Sequence, residues 1–206
     1  MRRLLLLLVA LPALAQAPIT ILERRELAVV QSTAASTHRL SLTLATLEGA
    51  GWAADDVHSA LRQSAQILAQ CGVALAKAEL VRISAPTRFL DFSAAVSREL
   101  AGTLALGKPT VFFLSGKRQA FEAVALGRSN SRSRPELADT VWIARDARDL
   151  GLVLAHELAH VLMDSGEHVE EPGNLMREDT SPENVRLTGA QCARLRANGS
   201  ANGLLH

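Results

Sequence analysis

Residues 150–176 read LGLVLAHELAHVLMDSGEHVEEPGNLM, and the first half of that run decides how the chain is read. His156 and His160 stand four apart, with Glu157 beside the first. Residues four apart on an α-helix share a face, one turn apart, so both imidazoles can reach one metal ion. The flanking Leu150, Leu152, Val153, Leu154, Leu158, Val161 and Leu162 are apolar nearly all round, the pattern of a buried helix. Two histidines and a glutamate on such a helix need partners, because unpaired polar groups are costly inside. A metal ion satisfies all three. Zinc in a catalytic site takes three protein ligands and keeps a fourth position open. The helix supplies two, so a third must come from elsewhere.

Asp164-Ser165-Gly166 reads as a helix stop, with Gly166 suited to a left-handed cap. A chain reversing there swings His168 back towards His156 and His160. Asp164 is a rival third ligand, and Glu170, Glu171 and Glu178 are weaker ones. A second turn at Pro172-Gly173 leads into Asn174-Leu175-Met176.

This order of H-E-x-x-H helix, turn, late histidine and Asn-Leu-Met resembles the metzincin clan of zinc endopeptidases. The resemblance is close over the last third of the chain. It implies His156, His160 and His168 as zinc ligands. Glu157 would be general base to a zinc-bound water, and Met176 the Met-turn residue under the metal. The clan's glycine position falls on Met163 and its third histidine on Gly166, so His168 arrives two residues late. The chain has no tyrosine, so the clan variant that uses one after the Met-turn does not apply.

At the start, Met1-Arg2-Arg3, an apolar run over 4–11 and Ala13-Leu14-Ala15 make a cleavable export signal over 1–15. The mature chain would then be secreted or periplasmic, with no membrane segment after cleavage. Losing Arg2 and Arg3 leaves 20 of the 22 basic residues against 21 acidic ones. That near-neutral balance argues against nucleic acid as a partner. Cys71 and Cys192 are either one disulfide, which an oxidising compartment allows, or two separate buried thiols.

Residues 16–50 form an N-terminal segment, either pro-like or an extra strand pair, with strands near 27–31 and 40–44. Residues 51–206 form the catalytic domain. Its helices are expected over 55–70, opened by Asp55 or Asp56 and ended by Gly72, and over 91–101. Strands are expected over 73–83, 109–114, 120–127 and 140–145. The stretch 127–134, with Arg128, Arg132 and Arg134 among serines, reads as a loop, either a solvated connector or the rim of a cleft. Asp146 or Asp149 caps the metal-site helix, and a terminal helix over 188–195 starts at Thr188. His38 and His58 have no ligand-spaced neighbours and read as ordinary histidines. The fold is α+β: a twisted mixed sheet packed on helices that include the H-E-x-x-H helix, with a small C-terminal subdomain. In the clan an antiparallel strand lies at the cleft edge, and 120–127 would take that place. An extended peptide adds to such an edge by main-chain hydrogen bonds.

The expected function is zinc-dependent cleavage of peptide bonds in a peptide or protein substrate. Two alternatives stand beside it. One is a zinc-binding exported protein with little turnover that acts as a binding module, and the other is a hydrolase of cell-wall peptides.

Overall fold

The computed structural model describes residues 18–29, 37–116, 127–130 and 137–206. The proposed export signal and the expected strand over 120–126 lie outside them. The described elements are β1 (Thr20–Leu27), β2 (His38–Leu47), α1 (Ala54–Leu68), β3 (Val73–Ser84), α2 (Ala94–Leu104), β4 (Thr110–Leu114), β5 (Gly127–Asn130), β6 (Thr140–Ala144), α3 (Leu150–Met163) and α4 (Gly189–Ala201). Six strands make one sheet in the order β1-β3-β2-β4-β6-β5. The four inner strands run parallel, and β1 and β5 close the two edges antiparallel.

The parallel centre explains the continuous apolar runs. Val111, Phe113, Val141 and Ile143 join a core with α1, α3 and α4, while Phe112, Leu114 and Trp142 join a second core with α2. Successive strand residues point to opposite faces, so a strand covered on both sides must be apolar throughout. Phe112 and Trp142 stack across the pair β4–β6 with centroids 4.1 Å apart. The sheet is therefore sandwiched, with three helices on one face and α2 on the other.

Two glycines allow the helices above the sheet to close up. A Cβ at Gly151 would run into Gln63 of α1, and one at Gly199 of α4 would stand 2.7 Å from Leu205. The disulfide Cys71–Cys192 forms, tying the turn after α1 to α4. Gly72 adopts the left-handed conformation that ends the first helix before β3. Thr188 caps α4 through a full capping box with Gln191, and that helix runs on to Ala201.

Several expectations need correction. β2, inside the segment expected over 16–50, lies between β3 and β4 in the middle of the sheet. Of the strand expected near 27–31, residues 28–29 are not strand and 30–31 lie outside the described residues; the first described strand is Thr20–Leu27. Its charged run is an edge pattern, matched to β3 by ion pairs such as Arg24–Glu79 at 2.8 Å. Gly127–Asn130, expected to be loop, is the antiparallel edge strand β5. Helix α1 starts at Ala54 with Asp55 and Asp56 inside its first turn rather than at its cap. Helix α2 begins three residues later than expected, where the Ser93 side chain accepts the Val96 N–H.

Candidate metal centre

Helix α3 is buried from Gly151 to Met163, as its apolar surround implies. His156 and Glu157 are buried with it, and His160 is only 5% exposed. Asp149 occupies the N-cap position, but its side chain makes no capping bond.

The helix ends at Asp164 in the left-handed conformation (φ 49°), not at Gly166. Aspartate tolerates that region better than most residues. The early stop has a consequence for His160. Ser165 turns back, its N–H bonding to the His160 carbonyl and its own carbonyl lying 2.7 Å from His160 Nδ1. The chain then brings His168 to the helix. Gly173, at φ 77°, makes the second turn. Beyond it the Leu175 carbonyl lies 2.6 Å from His156 Nδ1.

These two carbonyls settle the tautomers. A carbonyl only accepts, so Nδ1 of each ring carries the hydrogen and donates it. Nε2 of each ring then presents a lone pair. His160 Nε2 lies 3.0 Å from His156 Nε2 and 3.2 Å from His168 Nε2. Two imidazoles with Nε2 lone pairs cannot bond to each other, and at this distance they repel unless a cation stands between them. Zn–N bonds of about 2.1 Å in a tetrahedron place the nitrogens roughly 3.4 Å apart; the two separations to His160 are close to that, and all three ligand atoms lie within 4.8 Å of one another. The three donors can hold a metal ion.

Burial lowers the basicity of both helical histidines. Desolvation pushes the His156 imidazole below its ordinary value, outweighing the bond to Leu175. Desolvation, with His156 beside it, pushes His160 down to about 3. Both rings are therefore neutral in ordinary solution, the form that ligates.

Among the described residues, His156, His160 and His168 are the one group of histidine, cysteine or acidic side chains close enough to hold a metal ion. Asp164, Glu170, Glu171 and Glu178 stand outside that group, so the rival third ligands are not supported. His168 is exposed, unlike the helical pair. Met176 is buried in the core, and its carbonyl accepts the Val169 N–H. His38 and His58 stay apart, bonded to Thr37 and to the Ala28 carbonyl. The Ser165 and Leu175 carbonyls were not foreseeable, because a backbone carbonyl leaves no mark in sequence.

No protein-family model matches the chain, and no curated protein matches it. Among solved structures it is similar to the crystal structure of metalloproteinase-II from Bacteroides fragilis, at a TM-score of 0.54 and 17% identity. The match covers 81% of this chain and 55% of that one, so the chain spans little more than half that protein's length. At this identity the likeness concerns the fold. The chain thus shares the fold of a metalloproteinase, and the loop after its H-E-x-x-H helix brings a third histidine to a site that can hold a metal ion.

Proposed function

We propose that this protein is an exported zinc endopeptidase of metzincin-like type, with His156, His160 and His168 as ligands and Glu157 as general base. The observation that carries the reading is the convergence of three Nε2 atoms, two of them presented by Nδ1–H bonds to carbonyls. Zinc bound there supplies Lewis acidity, polarising a carbonyl and acidifying water. Glu157 follows His156 on the buried helix. Its carboxylate takes the proton of the attacking water and returns it to the leaving amine. Among the described residues β5 is the last strand of the sheet, and an extended peptide can add along such an edge. Export is supported by the Cys71–Cys192 disulfide, which suits an oxidising compartment. Among the described residues no helix is long and apolar enough to cross a membrane.

Metal analysis of the purified chain, with casein and peptide-library cleavage, tests the reading. Glu157→Gln is expected to keep its zinc and lose about 10²- to 10⁴-fold in kcat. Equal turnover in both proteins removes Glu157 from the mechanism.

A further inference from the structure

We propose that the side-chain amides of Asn174 and Gln191 form a positioning pair for the metal site, holding in place the Leu175 carbonyl that orients His156. The inference rests on His156 being a metal ligand. Asn174 is 3% exposed, and its amide is used completely. Its Nδ2 donates to Gln191 Oε1 at 3.0 Å and to Glu171 Oε2 at 3.2 Å. Its Oδ1 accepts from Gln191 Nε2 at 3.2 Å and from the Met176 N–H at 2.9 Å. The two amides therefore exchange a reciprocal pair of bonds, which sets their relative orientation.

Leu175 lies between these fixed points. Its own N–H donates to the Arg186 carbonyl at 2.7 Å, and its carbonyl receives the His156 Nδ1–H. A partner of this kind holds a ligating ring in its orientation and tautomer. The far end of the pair is anchored twice. Gln191 belongs to the capping box of α4, its Oε1 also accepting the Thr188 N–H at 2.8 Å. The next residue, Cys192, is bonded to Cys71. The loop over 174–176 is thus referred to a helix that does not itself carry a ligand.

Two variants separate positioning from simple support. Gln191→Glu keeps the acceptor that the capping box needs, since glutamate serves there as well as glutamine. It loses the Nε2 donation to Asn174 and sets a carboxylate oxygen against Asn174 Oδ1, so the reciprocal pair is broken. The added negative charge would hold a cation more tightly, so weaker binding cannot come from it. Asn174→Ala removes the pair altogether. The measurements are Zn²⁺ affinity against a chromophoric chelator, the visible d–d spectrum of Co²⁺-loaded protein, and Tm in EDTA. Asn174→Ala is expected to bind Zn²⁺ about tenfold more weakly, within the range for lost outer partners. Gln191→Glu is expected to fall between it and wild type, with an altered Co²⁺ spectrum. If Asn174→Ala does not fold, Gln191→Glu decides alone. Wild-type affinity and an unaltered Co²⁺ spectrum in the folded variants, whatever their Tm, overturn the proposal and leave the metal site standing. A wild-type chain that takes up no Zn²⁺ overturns both.

Discussion

Cys71 and Cys192 are separated by 121 positions, and joining them removes a large loop's freedom from the unfolded chain. The double variant Cys71→Ala/Cys192→Ala gives that freedom back. For a loop of this size the chain-entropy model gives an unfolding entropy change of about 16 cal/mol/K, which is about 5 kcal/mol at 25 °C. The folded state loses little. Helix α4 keeps the Asn198 side-chain bond to the Met163 carbonyl at 2.6 Å and the Arg196 bond to the Cys71 carbonyl at 2.9 Å. Leu195 stays in the core beside α3. The variant is therefore expected to fold, with Tm lowered by roughly 10–20 °C for a chain of this length. Guanidinium unfolding in EDTA measures it, because bound metal would otherwise add its own stabilisation. The denaturant slope should rise as well, since an uncrosslinked chain exposes more surface on unfolding. A stability loss under about 1 kcal/mol with an unchanged slope would refute the view that the bond acts on the unfolded chain.

His168→Ala should weaken zinc binding by more than the roughly 100-fold that bounds loss of an outer partner, while Asp164→Asn should leave it unchanged. Equal retention by both variants in a chelator competition would show that His168 is not the third ligand. The metal-free protein should lose stability as pH falls. Below the ordinary histidine value near 6.5, the unfolded chain takes a proton that folded His160 refuses until about pH 3. The loss from this residue is about 1.4 kcal/mol per pH unit in that window, and His156 adds to it in the same direction. Urea midpoints that stay flat between pH 6.5 and 4 would contradict the buried, neutral ring. Ala105 ends α2 in the left-handed region at φ 44° and is exposed. Ala105→Gly should therefore stabilise the protein by roughly 1 kcal/mol, read as a higher Tm.

Local chemistry settled much of the chain from the residues alone. The apolar surround of His156 and His160 marked a buried helix, the run at 109–114 a buried strand, the run at 140–145 a strand, and Thr188 the start of α4. These are short-range preferences, decided by side-chain period and by which backbone groups need partners. The charged β1 carries no apolar period, because an edge strand is held by one neighbour and faces water, and the four residues of β5 are too few to show one. Only the tertiary structure decided the lateral place of β2 between β3 and β4, since strand order follows from packing between distant segments. The same holds for the site. Sequence named the two helical histidines by spacing, but His168 reaches them because Asp164, not Gly166, turns the chain. The carbonyls that aim His156 and His160 come from backbone, whose direction depends on the path of the whole loop rather than on any side chain.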